Sequence, residues 1–109
     1  GFHDVYIETD SVERYRRTGS FPDSATSADM STGKASWAGE PAVWFVMIKD
    51  SKGRFPDNPN WGKGWGWALY KNDAPQKNVF TGFEKDCITC HLPAEKTDWV
   101  YIQGYPTLR

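Results

Sequence analysis

The chain has 109 residues, room for one hydrophobic core and no second. Thirteen basic residues face fourteen acidic ones, so the sequence lacks the basic footprint of a nucleic-acid or anionic-membrane binder. Aromatics make up 16% of the residues, which argues against disorder, and the longest apolar run, 42–48, is too short to cross a bilayer. No stretch combines the basic, apolar and cleavable parts of a signal peptide, which reads as a mature or trimmed start.

In chain order, Asp10-Ser11-Val12-Glu13 predicts a helix start, with Asp10 as N-cap and Glu13 closing a capping box. The helix runs through Arg14, Arg16 and Arg17 and stops at Gly19. Residues 20–40, rich in Ser, Thr, Gly and Ala, read as loop with one short strand around 34–37. Residues 43–49, β-branched and aromatic, are the best strand in the chain. A long excursion over 50–64 follows, carrying Gly53, Pro56, Pro59 and Gly62. Residues 65–70 alternate large and small, predicting a second strand with Trp65, Trp67 and Leu69 on one face. Gly64, Gly66 and Ala68 would leave the other face open to a flat group or a neighbouring backbone.

The only two cysteines lie in Cys87-Ile88-Thr89-Cys90-His91, the attachment pattern of c-type haem. Two thiols three positions apart add to the two vinyl groups on one haem edge. The next residue, His91, then sets an imidazole nitrogen under the iron as proximal ligand. Three other readings share these residues. A redox CxxC normally opens a helix after a strand in a βαβ unit, and that context is missing. Half a zinc site would need His91 and the distant His3. A local disulfide would close too short a loop to stabilise much. Haem attachment takes place on the oxidising side of an energy-transducing membrane, so the expected compartment is a bacterial periplasm.

Only eighteen residues follow His91, and none is Met or His. A sixth iron ligand would have to come from upstream: His3, Met30, Met47 or a lysine. A late attachment motif is typical of cytochromes c′, but one credible helix and Trp- and Val-rich strands exclude their four-helix bundle.

This placement of haem on a β scaffold resembles the cytochrome P-460 and cytochrome c′-β family. The matching residues are Val5-Tyr6-Ile7, Tyr15-Arg16, Gly19-Ser20-Phe21-Pro22-Asp23 and Trp44-Phe45-Val46-Met47-Ile48-Lys49-Asp50. They continue with Gly64-Trp65-Gly66-Trp67-Ala68, the attachment motif through Pro93, Thr97-Asp98-Trp99-Val100-Tyr101 and Tyr105-Pro106-Thr107-Leu108. The resemblance implies an α+β fold, mainly an antiparallel β-sheet with flanking short helices, over a single haem c domain spanning 1–109. It also implies a homodimer, one covalent haem c near the C-terminus, an open distal face and a redox partner protein. The chemistry implied is hydroxylamine oxidation in one branch and nitric oxide binding in the other.

Two departures stand out. Family members carry Gly after Phe-Pro-Asp and then an apolar stretch ending in a lysine bonded to the haem. Here Ser24-Ala25-Thr26-Ser27-Ala28-Asp29 follows, several residues short and without that lysine; Lys34 and Lys49 do not substitute. The family's N-terminal helical segment is also missing from this sequence. Both weigh against the hydroxylamine branch.

Among individual residues, Cys87, Cys90 and His91 carry the cofactor. Phe45, Trp65, Trp67 and Phe80 are candidates to wall it, with Phe45 and Trp67 preferred. Met47 is the candidate distal ligand, against an ordinary core methionine. His3 reads as a surface residue, and the Arg14, Arg16 and Arg17 cluster as a solvated helix face or a propionate partner. Tyr101 and Tyr105 offer hydroxyls to the haem edge or simple packing. Hydroxylamine oxidation would need a base near the iron, for which Glu84 and Asp86 are the nearest carboxylates. The expected function is a five-coordinate haem protein for small nitrogen oxides. The alternative is a six-coordinate electron carrier.

Overall fold

A computed structural model describes residues 2–32, 41–105 and 108, with side chains described for 6–25, 41–105 and 108. The elements in order are β1 (Phe2–Ile7), α1 (Thr9–Thr18), β2 (Thr26–Thr32) and β3 (Val43–Lys49), then β4 (Trp61–Gly62) and β5 (Trp65–Lys71). Two short helical turns follow, α2 (Phe83–Asp86) and α3 (Ile88–His91). The chain then closes with 3-10 turns at Leu92–Thr97 and Ile102–Gly104. The five strands form one antiparallel sheet in the order β1-β2-β3-β5-β4. The fold is mixed α+β, as the sequence implied.

β3 lies where its composition predicts, with the same bounds, at the centre of the sheet. It pairs with β5 so that Lys49 faces Trp65, Met47 faces Trp67 and Phe45 faces Leu69. These cross-strand pairs put the large residues of both strands on one face, where Met47, Trp65 and Trp67 are buried. Tyr15 of α1 stacks on Phe21 with ring centroids 4.4 Å apart, and Phe21 meets Trp65 edge-on at 5.7 Å. Trp99, Val100, Tyr105 and Leu108 complete that core from the C-terminal segment.

α1 ends as expected: Gly19 takes φ 73° and its N–H donates to Tyr15 O at 2.8 Å. Its start differs. The helix begins at Thr9 after Glu8, and Ser11 Oγ donates to Glu8 Oε2 at 3.3 Å, so the expected Asp10 cap and capping box are not the device used. Asp10 instead lies in the first turn, where a carboxylate suits the helix dipole.

β1 and β2 are strands that composition did not reveal. Residues 26–32, expected as loop, lie between β1 and β3, with Thr26 opposite Ile48 and Ile7 opposite Ser27. A segment with ladder partners on both sides becomes strand whatever its own preference, because pairing decides. The strand expected around 34–37 lies outside the described residues, as does Lys34. His3 and Met30 sit on β1 and β2, and their side chains also lie outside the description.

The open small-residue face of β5 is a second correction. β4, inside the expected excursion, lays the Trp61 indole against Gly66, where a Cβ would come within 2.5 Å of the ring. The small residue serves a packed side chain. The free volume over β3 and β5 is bordered by Met47 and Trp67 of the opposite face, and by Ala68 as well.

Candidate functional site

The motif sits on α2 and α3, two turns joined at Cys87, whose φ of −124° and ψ of −45° interrupt the helix. Asp86 holds the first turn: its Oδ2 accepts the N–H groups of Thr81 at 2.8 Å and Gly82 at 3.2 Å, and the Thr81 hydroxyl at 3.2 Å. Phe83 ties the turn to the excursion, donating its N–H to Pro59 O at 2.9 Å while its ring covers Gly62. The motif is therefore docked through backbone bonds and one close ring contact.

Cys87, Cys90 and His91 open into one cavity of about 380 Å³. Its floor is the sheet face bearing Phe45, Met47 and Trp67, and Val100, Tyr101 and Tyr105 close it from the C-terminal side. Phe80 leans on Phe45 with centroids 6.2 Å apart and also lines the space. The walls are mostly apolar and aromatic, as a flat organic cofactor requires. A groove of about 450 Å³ between Pro56–Trp61 and Thr81–Lys85 holds none of the three motif side chains.

His91 is held by its ring. Nδ1 lies 2.8 Å from the carbonyl oxygen of Trp99, and since a carbonyl only accepts, Nδ1 carries the proton and Nε2 keeps a bare lone pair. Burial pushes the imidazole pKa down, against the opposing hydrogen bond to Trp99, so the neutral form that ligates metals is favoured. The ring meets Trp67 edge-on at 4.8 Å and Tyr101 at 5.6 Å. Cys87 is buried and Cys90 exposed, both as free thiols. Burial first, then the charges of Asp86 and Cys90, push the Cys87 pKa up to about 12.

The structure brings together Cys87, Cys90, His91, Phe45, Trp67 and Met47, and with them the further candidates Phe80, Asp86, Tyr101 and Tyr105. It separates others. Trp65 is fully buried against Phe21 and Lys49, and Glu84 borders the other groove. The arginines of α1 are exposed. Tyr101 Oη donates to the carbonyl of Cys90, so its hydroxyl braces the motif. Lys49 Nζ pairs with Asp98 Oδ1 at 2.7 Å, consistent with its not standing in for the cross-linking lysine. Sequence reasoning missed the Trp99 carbonyl, because a backbone atom has no residue-type signature. Among the described residues no group of three or more His, Cys, Asp or Glu comes together to hold a metal ion. No helix among them is long and apolar enough to cross a membrane.

An apolar cavity on an antiparallel sheet, with two thiols and a tautomer-fixed imidazole at its edge, defines a cofactor-binding α+β domain. The chain belongs to the cytochrome P460 family, whose model matches residues 1–102. No match was found among curated proteins. Membership implies haem binding, and the residues fit that group: a flat aromatic enclosure, a free Nε2 and two thiols face the same space.

Proposed function

We propose that this chain is a monohaem c-type cytochrome that binds small nitrogen oxides, nitric oxide above all, at a five-coordinate iron. Cys87 and Cys90 would hold one haem c by thioether bonds, and His91 would ligate the iron through Nε2. The observation that carries this reading is the shared cavity, in which the fixed His91 tautomer and both thiols meet a largely apolar wall. When bound, the haem supplies one-electron redox chemistry and an open coordination position for a small ligand.

The chain's own residues set the selectivity. Phe45, Phe80, Val100 and Tyr105 exclude water and disfavour anions, which suits neutral diatomics. Asp86 is the sole carboxylate among the described lining residues, and its Oδ2 is engaged by Thr81 and Gly82. Those bonds lower the proton affinity of the carboxylate and make it a weaker base, which favours ligand binding over hydroxylamine oxidation. A homodimer, a redox partner protein and a periplasmic location complete the proposal, on the family resemblance and on where haem c is attached.

A second reading has one observation behind it. Met47 lines the same cavity as His91, which would allow a six-coordinate electron carrier. Absorption spectra of oxidised and reduced protein, with and without carbon monoxide, decide between them. A high-spin haem c spectrum that shifts with carbon monoxide is expected. Sharp low-spin bands unmoved by carbon monoxide would establish the electron carrier, and a broad, strongly red-shifted Soret band would reveal a haem–lysine bond.

A further inference from the structure

The direction of the Trp99 carbonyl depends on a kink that local sequence disfavours. Asp98 and Trp99 are consecutive non-glycine residues in the left-handed region, with φ 55° and 67°. Asp tolerates that conformation; a bulky residue such as Trp does so rarely. Such residues persist only where their surroundings over-determine them.

The surroundings do so through one carboxylate. Asp98 Oδ1 accepts from Lys49 Nζ at 2.7 Å, and Oδ2 accepts the Phe21 N–H at 3.1 Å. Both oxygens are used, by partners from two separate parts of the fold. Lys49 is itself buried, at the end of the central strand, with Nζ 4.8 Å above the Trp65 ring. The following residue is fixed as well, since Trp99 N–H donates to Ala94 O at 2.8 Å. A buried ion pair contributes little net stability compared with apolar residues of the same shape. Its geometric effect is specific: it holds the kink from which the Trp99 carbonyl reaches His91 Nδ1 at 2.8 Å.

We propose that Lys49 and Asp98 form a positioning pair that aims the Trp99 carbonyl at His91 and thereby tunes the iron–histidine bond. The proposal rests on His91 being the axial ligand. A firm Nδ1–H···O bond makes the imidazole a stronger donor, which strengthens the metal bond and favours the oxidised metal. Neither Lys49 nor Asp98 lines the cavity, so both act through the loop.

The test uses the haem-loaded protein, reading the Fe–N(His) stretching frequency of the reduced form by resonance Raman and the midpoint reduction potential. Asp98→Ala and Lys49→Met should lower the frequency and raise the potential. Lys49→Arg, which keeps a cation at Asp98, should stay close to the parent on both. Asp98→Asn keeps an acceptor and tolerates the left-handed backbone, so it should fall between. It decides the matter if Asp98→Ala does not accumulate. Lower melting temperatures with unchanged frequency and potential in Asp98→Asn and Lys49→Met would make the pair structural only and overturn the proposal. The parent protein separates the two failures: without an Fe–N(His) mode there, the iron is not five-coordinate through His91 and the proposed function falls, while the shift in potential between parent and variants still decides the positioning role.

Discussion

The indole of Trp67 meets the imidazole of His91 edge-on, with centroids 4.8 Å apart and planes inclined at 73°. The sheet thus touches the motif directly, and Trp67 is itself fixed on several sides. Its Nε1–H donates to Gly62 O at 3.1 Å, and its backbone N–H donates to Asn60 O at 2.9 Å.

Trp67→Ala should therefore cost about 3–5 kcal/mol of stability, the usual loss for a large aromatic in a core. Trp67→Phe keeps a ring beside His91 and loses the bond to Gly62, for about 1 kcal/mol. Urea unfolding measures both. The haem absorption of the purified protein should broaden in the alanine variant and stay sharp in the phenylalanine one.

Gly62 and Gly66 are covered by the rings of Phe83 and Trp61. Gly66→Ala or Gly62→Ala forces a ring aside, at about 1–3 kcal/mol for overpacking. Only Gly62→Ala disturbs α2, so it alone should also lower the yield of haem-bearing protein, read by pyridine haemochrome against total protein. Gly104 has nothing within 4 Å of an added Cβ. Gly104→Ala should stay within about 0.5 kcal/mol of the parent.

Asn78 bridges β5 and the segment leading to the motif. Its Oδ1 accepts the N–H groups of Leu69 and Phe80, each at 3.0 Å, and Nδ2 reaches Trp67 O at 3.4 Å. Asn78→Ala leaves those donors without their acceptor and should cost about 1–3 kcal/mol. Asn78→Asp retains the acceptor oxygen and should lose less. Hydrogen exchange at the Leu69 amide should accelerate in the alanine variant only.

Asp86 carries a pH signature. The Thr81 N–H lowers its pKa most, burial opposes, and the Gly82 N–H and Thr81 hydroxyl lower it further. A carboxyl depressed in the folded state stabilises it above the unfolded value of about 3.9 and loses that contribution as pH falls through the folded value. Stability should drop on acidification below about pH 4. Asp86→Asn should flatten that part of the profile in urea midpoints measured from pH 2 to pH 7.

The central strand, its partner β5 and the end of α1 at Gly19 were legible because each has a local cause: β-branched runs, alternation, and a left-handed glycine. The spacing of Cys87, Cys90 and His91 could be read directly from sequence, and the structure places all three side chains at one cavity. β2 was not, since its interior, mostly Ser, Ala and Asp, carries little strand preference until β1 and β3 flank it, and its two Thr stand only at the ends. The open face of β5 was misassigned for a related reason: alternation shows that two faces differ, and only the position of Trp61 shows which one is filled.

By itself, then, the sequence determined the Cys87–His91 spacing, the family and the strands that build the floor, because these rest on residue identity at fixed spacing. The tertiary structure alone decided which sheet face encloses the cavity, that Met47 and Trp67 share it with His91, and that a kink at Asp98 supplies the imidazole's acceptor. Those are relations between backbone and side-chain atoms 8 to 44 residues apart, and no local pattern encodes them.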